Sequence, residues 1–273
     1  MKILNGAELA EFIKERQAKA VRALRQAHGV IPKLVIIRTN PDPVVDSYMR
    51  MKSNYGADIS VDVEVLTIDQ SKALAAIEKL NHDESVHGMI VQIPLPDPSQ
   101  TAEILNTVIP SKDVDGLNEK SQFDPATPMA INWLISGYGV ELAGKKLVIL
   151  GHGRLVGQPL AKIWQGSGLD VTVVDKKTTD LKDQVKQADV LVTATGVAGL
   201  VKKDMVNPNA VIVDAGVATD KNGLVGDIAP EVRDLPYITI TPEKGGVGPL
   251  TVCALFENVI RSAQKTAAQE TSS

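Results

Sequence analysis

The apolar positions of this chain recur at two spacings, which predict different elements. From residue 6 to about residue 28 the apolar residues follow the period of a helix, at Leu9, Phe12, Ile13, Ala20, Val21 and Leu24. Short runs such as KLVIIRT (33–39) and KKLVIL (145–150) are instead continuously apolar and rich in β-branched residues. The first spacing predicts amphipathic helices, and the second predicts buried strands.

Predicted strands and helices alternate in both halves of the chain. In the first half, the strands KLVIIRT, VDVEVLTI (61–68) and GMIVQIPLP (88–96) are separated by helices that contain DSYMRMK (46–52) and SKALAAIEKLN (71–81). In the second half, about five apolar strands from KKLVIL to YITIT (237–241) are interleaved with further helices. This alternation is typical of parallel sheets with helices packed on them, so we predict an α/β fold.

An interruption of the alternation predicts two domains. Between about Ile109 and Pro128 the chain reads IPSKDVDGLNEKSQFDPATP, which is rich in Pro, Asp and Gly and typical of a connection. We therefore expect an N-terminal α/β domain over 1–118 and a Rossmann-type dinucleotide-binding domain over 119–247, with a ligand cleft between them. The helical run 248–264 is expected to pack back on the first domain, and 265–273 to form a polar tail.

Composition narrows the class of protein. The 273 residues are 44% hydrophobic, and the net charge of −4 argues against non-specific binding of nucleic acid. The single cysteine, Cys253, excludes an intrachain disulfide, and four scattered histidines give no support for a metal site. No apolar run has the length of a membrane span, and Glu8 and Glu11 lie where a signal peptide would be apolar. We expect a cytoplasmic protein without metal, nucleic-acid or membrane partners.

A glycine-rich turn gives the first indication of function. Gly151, Gly153 and Gly157 lie between the strand KKLVIL and the next helix, where backbone amides and the helix dipole can hold a pyrophosphate. The spacing G-x-G-x-x-x-G is one residue longer than the usual dinucleotide fingerprint. Its strand–turn–helix context nevertheless favours a nucleotide site.

The residues after the following strand bear on which dinucleotide is bound. Asp175 lies where an acidic residue grips a ribose hydroxyl pair and would repel a 2′-phosphate, which favours NAD. Lys176 and Lys177 follow at once and could hold that phosphate, or form a solvated turn. NAD and NADP both stay open, with Asp175 favouring NAD.

Tyr48 and Lys52 form a candidate acid–base pair. They lie four residues apart on a predicted helix and point the same way, and a desolvated lysine has its pKa lowered towards neutrality. The alternative is a half-buried tyrosine beside a lysine whose tip stays in water. Short-chain dehydrogenases share Y-x-x-x-K, but there it follows the glycine turn, whereas here it precedes the turn by about a hundred residues. We therefore expect the pair in a separate domain that faces the cofactor.

Two further polar residues occur in unusual surroundings. Gln92 lies in the apolar run VQIPLP, and because a core amide needs hydrogen-bond partners, it either caps a loop or faces a ligand. Asp115 lies beside Gly116 in KDVDG, where it could be an ordinary turn residue. Neither residue is decisive by itself.

Taken together, these stretches resemble the bifunctional methylenetetrahydrofolate dehydrogenase/cyclohydrolase family. The resemblance covers nearly the whole chain, through KILNG, YMRMK, GMIVQIPLP, PSKDVDG, PATP, GHGRLVGQP, ADVLVTATG, IVDAGV, LVGD and GGVGPLTV. It implies an NAD(P)-dependent enzyme of one-carbon metabolism and purine biosynthesis that oxidises 5,10-methylenetetrahydrofolate to the methenyl form and hydrolyses this to 10-formyltetrahydrofolate. It also implies a homodimer formed through the cofactor domains.

The resemblance assigns roles residue by residue. Lys52 matches the central catalytic lysine, Gln92 the glutamine that supports it, and Tyr48 the tyrosine that shapes the folate pocket. Asp115 matches the aspartate that binds the pterin ring. A loop that closes over the folate is matched by Gly248, Pro249 and Thr251. The turn from Gly151 to Gly157 matches the cofactor loop. The candidate cofactor-binding residues are Gly151, His152, Gly153, Arg154, Gly157, Asp175, Lys176, Thr195, Gly196 and Val217.

Some matched positions depart from the family pattern. They are His152 and Gly153 in the cofactor turn, Asp175 in place of a histidine, Ala126 and Ala130 in PATPMA, Glu243 and Lys244 in TPEKGG, Val45 in place of a serine and Asn54 in place of a lysine. These departures leave the cofactor preference, the folate affinity and the balance of the two activities open. The four candidate catalytic and folate-binding side chains are all present.

Two other functions compete with this assignment. A different two-domain dehydrogenase, similar to shikimate dehydrogenase, would need cationic side chains aimed at a carboxylate in the first domain and would leave VQIPLP unexplained. A non-catalytic nucleotide-binding module would have no need of Lys52.

Overall fold

The structure, a computed structural model, describes residues 1–41, 43–220 and 223–270. The chain divides into two compact units. The large-sheet unit contains Met1–Ala10 and Thr127–Thr251. The small-sheet unit contains Glu11–Ala126 and the residues from Val252 onward. Within the described part of the chain, no helix combines the length and the apolar character that crossing a membrane requires.

Strands and helices alternate as predicted. The strands are β1 (Lys2–Ile3), β2 (Lys33–Arg38), β3 (Asp62–Thr67), β4 (Gly88–Gln92), β5 (Leu147–Leu150), β6 (Val171–Val174), β7 (Val190–Thr193), β8 (Val211–Asp214), β9 (Ala218–Asp220), β10 (Gly223–Val225) and β11 (Thr239–Ile240). The α-helices are α1 (Gly6–His28), α2 (Pro43–Ile59), α3 (Ala73–Asn81), α4 (Thr101–Thr107), α5 (Ala126–Gly137), α6 (Gly157–Gly166), α7 (Leu181–Lys186) and α8 (Val247–Glu270). The predicted α/β fold is confirmed, and α4 and the β9–β10 hairpin are additions to it.

The small sheet is built on β2, which pairs in parallel with β3 on one side and β4 on the other. Residues 34–37 of β2 are fully buried. Successive side chains of a strand point to opposite faces. Val35 and Ile37 therefore share one face, where they form a core with Ile77 of α3 and Ile104 of α4.

The opposite face of the small sheet carries α2 and α8. A Cβ atom on Gly56 of α2 would lie 2.4 Å from the side chain of Val63 and 3.2 Å from that of Phe256 in α8. Val63 is the register partner of Leu34, which points away from the core described above. Helix α2 therefore packs on the face of the sheet opposite Val35 and Ile37.

The large sheet contains six parallel strands in the order β1-β11-β8-β7-β5-β6. All four residues of β5 are buried, as expected for a strand covered on both faces. The strand order reverses beside β5, because β6 lies on one side and β7 on the other. Open parallel sheets bind ligands at the carboxyl ends of the strands at such a point.

The first strand belongs to the large sheet rather than to the small one. The backbone N–H of Lys2 donates a 3.0 Å hydrogen bond to Ile238, and that of Leu4 donates one of 2.9 Å to Ile240. Residues 1–10 accordingly group with the large-sheet unit, whereas the sequence places them in the domain 1–118. A two-residue strand is too short to show a period in the sequence.

Helix α8 continues to Glu270, so residues 265–270 are helical where the sequence predicts a polar tail. Ala263 and Ala267 are buried against Leu24 of α1, and this contact explains why the helix extends past the predicted end. Residues 271–273 lie outside the described part of the chain.

Candidate active site

The carboxyl ends of β2 and β4 form the first candidate site. The order of the small sheet reverses between these strands, because β3 lies on the other side of β2. Arg38 ends β2, Gln92 ends β4, and the two residues are register partners. Their side chains therefore point to the same face, the one that carries α2.

Lys52 of α2 meets Gln92 at this edge. The side-chain nitrogen Nζ of Lys52 donates a 3.1 Å hydrogen bond to Oε1 of Gln92. Nε2 of Gln92 in turn donates a 3.1 Å hydrogen bond to the carbonyl of Ile93. Both ends of the amide are satisfied, as a partly buried amide requires. Gln92 thus holds the loop after its own strand and contacts the candidate catalytic lysine.

Burial and opposite charge shift the pKa values of Lys52 and Asp115. Burial is the larger effect on Lys52 and lowers its pKa below the ordinary value, while the carboxylate of Asp115 raises it. Burial raises the pKa of Asp115, and Lys52 lowers it. Burial therefore favours the neutral form of each group. Lys52 therefore loses its proton at a lower pH than a lysine in water does.

The loop that presents Asp115 is held by its neighbours. Oδ2 of Asp113 accepts a 2.8 Å hydrogen bond from the backbone N–H of Asn118, and burial raises the pKa of Asp113 to about 6. Gly116 has a φ of +72°, and a Cβ atom there would lie 2.6 Å from the backbone nitrogen of Pro125. Only glycine fits this position. Asp113 and Gly116 maintain the turn and leave the Asp115 carboxylate to interact with the lysine.

Tyr48 lies one helical turn before Lys52 on α2, on the same side of the helix. It is partly buried, and burial raises the pKa of its hydroxyl. The phenol therefore stays protonated near neutral pH. Within the predicted pair, Lys52 is the group that can act as a base, and Tyr48 offers a ring and a hydrogen-bond donor.

An ion pair beside this cluster was not apparent in the sequence pattern. The guanidinium of Arg38 pairs with the carboxylate of Asp46 in the first turn of α2. The Arg38 side chain is 17% exposed, and among the described residues its Nε and the buried hydroxyl of Thr39 have no hydrogen-bond partner. The pair ties the end of β2 to the helix that bears the tyrosine and the lysine. In the sequence, the charged Arg38 at the end of the apolar run KLVIIRT is the feature that could have indicated this ion pair.

The glycine turn connects β5 to α6 at the carboxyl edge of the large sheet. Gly151 has a φ of +109°, and a Cβ atom there would lie 2.5 Å from the carbonyl oxygen of Ala194, which follows β7. A Cβ atom on Gly157, the first residue of α6, would lie 1.9 Å from the carbonyl oxygen of Gly151. The two glycines thus let the start of α6 close on the turn, as in dinucleotide-binding folds. The exposed residues between them include His152, Gly153 and Arg154.

Asp175 follows β6 and lies in a hydrogen-bonded turn. Its Oδ1 accepts a 2.8 Å hydrogen bond from the backbone N–H of Lys177, and its own N–H donates one of 3.0 Å to the hydroxyl of Thr178. The turn fixes the direction of the carboxylate. Lys176 and Lys177 are exposed beside it.

The other predicted cofactor residues lie in the loops after β7 and β8. Thr195 and Gly196 follow β7, and Val217 follows β8, at the same carboxyl edge as the glycine turn. A Cβ atom on Gly196 would lie 3.4 Å from the carbonyl oxygen of Val217, so the two loops are neighbours. Two carboxylates that the sequence pattern did not single out, Asp214 and Asp227, bind these loops.

Gly248, Pro249 and Thr251 lie in the first turns of α8, so the residues matched to a loop are helical. The hydroxyl of Thr251 donates a 3.3 Å hydrogen bond to the carbonyl of Val247 and lies 3.5 Å from the hydroxyl of Thr127. The loop itself ends before Val247, where the helix begins.

The structure shows the surroundings of four of the departures from the family pattern. Ala126 and Ala130 are buried small residues of α5. Oε1 of Glu243 lies 3.6 Å from Nε of Arg233, so this acidic residue has a cationic partner. Lys244 is exposed.

The combined features define a class of two-domain α/β enzymes, with a dinucleotide-type sheet and a second parallel sheet that carries a Lys–Gln–Asp cluster. Two family models match this chain. The model of the tetrahydrofolate dehydrogenase/cyclohydrolase catalytic domain matches residues 4–115, and that of the NAD(P)-binding domain matches residues 125–267. The chain belongs to the tetrahydrofolate dehydrogenase/cyclohydrolase family.

Relatives support this membership over the full length of the chain. The bifunctional protein FolD of an Exiguobacterium species is 35% identical over 276 residues, covering 96% of this chain and 99% of the relative. The crystal structure of the bifunctional FolD dehydrogenase/cyclohydrolase of Campylobacter jejuni is 35% identical, with a TM-score of 0.92 and coverage of 97% and 99%. The Trypanosoma brucei enzyme, solved with NADP and an inhibitor, is 28% identical, with a TM-score of 0.89 and coverage of 96% and 97%.

These comparisons confirm the predicted family, the two-domain α/β fold and the enzyme class. They do not favour the shikimate-dehydrogenase-like or non-catalytic alternatives. The roles of individual residues and the domain limits 1–118 and 119–247 stay predictions.

Proposed function

We propose that the chain carries out both reactions of its family with Lys52 as the proton-transferring group. As a member of this family, the chain is an NAD(P)-dependent methylenetetrahydrofolate dehydrogenase and methenyltetrahydrofolate cyclohydrolase. The observation that supports Lys52 most directly is its hydrogen bond to Gln92, together with a pKa that burial lowers.

The hydrolytic step is the one that needs a base. Water adds to the bridging carbon of the methenyl cation, and the bond from that carbon to N5 breaks to leave the formyl group on N10. One proton of the water goes to N5, and the other is released. A neutral Lys52 amine can accept a proton from the attacking water, and the lowering of its pKa by burial increases the fraction of lysine in this form. Gln92 orients the amine by accepting a hydrogen bond from it.

The oxidative step depends on alignment. Loss of a hydride from the methylene carbon would require the protein to align that carbon with the acceptor and would require no strong base. We assign Asp115 to the pterin ring, where a carboxyl group with a raised pKa can both donate and accept hydrogen bonds. Tyr48 supplies an aromatic wall with a neutral hydroxyl.

The dinucleotide is assigned to the carboxyl edge of the large sheet. The Gly151–Gly157 turn fits a pyrophosphate, because its glycines bring the start of α6 against the strand end. A dinucleotide held there would supply the hydride acceptor for the methylene carbon. The Asp175 carboxylate, held by the amide of Lys177, favours a ribose diol and hence NAD, while the exposed Lys176 and Lys177 are the groups that would favour NADP.

Initial rates of 5,10-methylenetetrahydrofolate oxidation with NAD and with NADP test this function. We expect turnover with a preference for NAD, followed by conversion of the methenyl product without further dinucleotide. A preference for NADP would indicate that Lys176 or Lys177 binds the 2′-phosphate and overrides its repulsion by Asp175. Absence of turnover with both dinucleotides would contradict the proposed function.

We further propose a cytoplasmic homodimer formed through the cofactor domains. The family resemblance supports the dimer. Light scattering at micromolar protein concentration is expected to give twice the mass of the 29.2 kDa chain. A monomer under these conditions would refute the dimer.

A further inference from the structure

A buried carboxylate holds the loop that follows β7. Asp227 is fully buried, and its Oδ2 accepts a 2.6 Å hydrogen bond from the backbone N–H of Thr195. Its Oδ1 accepts one of 3.0 Å from the backbone N–H of Val197. A single side chain thus fixes both ends of the tripeptide Thr195–Gly196–Val197.

A second carboxylate holds the first. Asp214, the last residue of β8, accepts a 3.1 Å hydrogen bond on Oδ1 from the backbone N–H of Asp227. The same oxygen accepts hydrogen bonds from the hydroxyl of Thr193 at 3.0 Å and the N–H of Gly216 at 3.1 Å. Oδ2 accepts one of 3.1 Å from the N–H of Ile228. The backbone of Asp227 is therefore anchored to the sheet while its side chain anchors the loop.

Two glycines make room for these carboxylates. A Cβ atom on Gly216 would lie 2.1 Å from the carboxylate of Asp227, and a Cβ atom on Gly226 would lie 2.0 Å from that of Asp214. Burial raises the pKa of Asp227, and the charge of Asp214 raises it further. Enclosing a carboxylate in this way is unfavourable unless hydrogen bonds offset the loss of hydration. The loop amides provide those hydrogen bonds.

The loop held by Asp227 presents a surface suited to a flat ring. Gly196 has a φ of +69° and lies beside the loop that bears Val217. Val197 is 51% exposed and Val217 is 54% exposed, at the carboxyl edge where parallel sheets bind ligands. Exposed apolar side chains at such an edge fit the face of an aromatic group.

We propose that Asp227 is a positioning residue for the dehydrogenase reaction, and that it holds residues 195–197 in the conformation that binds the nicotinamide half of the dinucleotide. This inference rests on the proposed function, because it takes Thr195 and Gly196 to belong to the cofactor site. Asp227 touches the loop and does not itself contact the reacting atoms.

The variant Asp227→Asn tests this role. It keeps the shape of the side chain but replaces one accepting oxygen with an NH₂ group, so one of the two loop amides loses its partner. We expect the Kd of the dinucleotide to rise about tenfold or more. The cyclohydrolase kcat/KM is expected to stay unchanged, because hydrolysis consumes no dinucleotide. A purely structural role would lower both activities together.

The matched control is Asp189→Asn. Oδ2 of Asp189 accepts a 2.9 Å hydrogen bond from the backbone N–H of Lys146. Asp189 immediately precedes β7 and Lys146 immediately precedes β5, so both residues lie at the amino edge of the same sheet. The substitution makes the same chemical change at the opposite edge. We expect it to leave the dinucleotide Kd unchanged.

Three outcomes would overturn the positioning role. They are an unchanged dinucleotide Kd in a folded Asp227→Asn variant, an equal loss of both activities, and an equal rise in Kd in the Asp189→Asn control. Should Asp227→Asn fail to fold, Thr193→Val removes one donor to Asp214 with little change in shape, and we expect a rise in Kd of about two- to fivefold; no rise would overturn the proposal. A wild-type protein that binds no dinucleotide would contradict the proposed function itself, before any substitution is compared.

Discussion

The side-chain nitrogen of Lys52 donates a hydrogen bond to the amide oxygen of Gln92, which is a 3.1 Å contact between α2 and the end of β4. An amide oxygen can accept a hydrogen bond from the lysine side chain whether the lysine is charged or neutral. When Lys52 is neutral, this bond uses one N–H and thereby restricts where the nitrogen lone pair points. A base whose lone pair is oriented in advance loses less entropy in the reaction than a freely rotating one.

Replacing Lys52 tests whether this amine transfers the proton. We expect Lys52→Met to lower the cyclohydrolase kcat about 10²-fold or more, the usual contribution of a general acid–base group. Its unfolding temperature is expected to fall or stay similar, because the buried Asp115 loses its cationic neighbour and Gln92 loses its donor, so the rate is compared on protein shown to be folded. Lys79→Met, on the exposed side of α3, is the control. Full cyclohydrolase activity in the Lys52 variant would contradict the assignment.

The pH profile of hydrolysis reports the charge beside Lys52. The Asp115 carboxylate raises the pKa of Lys52, so Asp115→Asn is expected to lower that pKa further. Because the neutral amine is the active form, the rising part of the profile of kcat/KM moves to lower pH in the variant. The measurement is methenyl hydrolysis over a pH series. A shift to higher pH would show that Asp115 does not act on Lys52 through its charge.

Stability below neutral pH reports the buried carboxyl of Asp113. Its pKa is raised from 3.8 to about 6, so the folded state binds more protons than the unfolded state between these values. The contribution of Asp113 to stability therefore falls as the pH rises from about 4 to 6, by up to about 3 kcal/mol. We expect the difference in stability between the wild type and Asp113→Asn to change with pH in this direction in urea unfolding. Ser85 lowers the pKa of Asp83, so the control Asp83→Asn is expected to remove a contribution of the opposite sign.

The pair of Arg38 and Asp46 is testable by a double-mutant cycle. We expect a coupling free energy of about 0.5–1 kcal/mol between Arg38→Met and Asp46→Asn, since the side chain of Asp46 is 38% exposed and water weakens the attraction. Urea unfolding measures the coupling. The pair of Lys182 and Asp204, which are both more than half exposed, serves as a control and is expected to show less coupling. Equal coupling in the two pairs would contradict the effect of burial.

The choice between NAD and NADP is expected to depend on Asp175. In Asp175→Ser the carboxylate that repels a 2′-phosphate is gone, and so is the proposed ribose ligand. We expect the ratio of the NADP and NAD dissociation constants to shift towards NADP by about tenfold or more. Asp180→Ser, at an exposed position before α7, is the control. An unchanged ratio would assign the preference to other groups, with Lys176 and Lys177 the first to replace.

The elements and several of their functional residues could be predicted from local sequence. Runs such as KLVIIR and LVIL form buried parallel strands, because continuous β-branched residues suit a sheet covered on both faces. The turn from Gly151 to Gly157 was recognisable because glycine is required where the helix start approaches the strand. Tyr48 and Lys52 share a helix side because they lie four residues apart.

The partners of these residues depended on tertiary structure. Lys52 and Gln92 are 40 residues apart in the chain, and Thr195 and Asp227 are 32 apart. Only the packing of separate helices, strands and loops in the tertiary structure brings such residues together. Strand β1 is a similar case, because two residues show no period and their place follows from hydrogen bonds to a strand more than 230 residues away.

The sequence by itself determined the α/β class, the glycine turn and the tyrosine–lysine pair, because these follow from the periods of single elements and from local steric limits. Tertiary structure alone decided that Arg38 pairs with Asp46, that Asp227 holds residues 195–197, and that burial lowers the pKa of Lys52. Desolvation and charge pairing depend on how closely residues from separate elements pack, and the order of residues along the chain does not encode that distance in any local pattern.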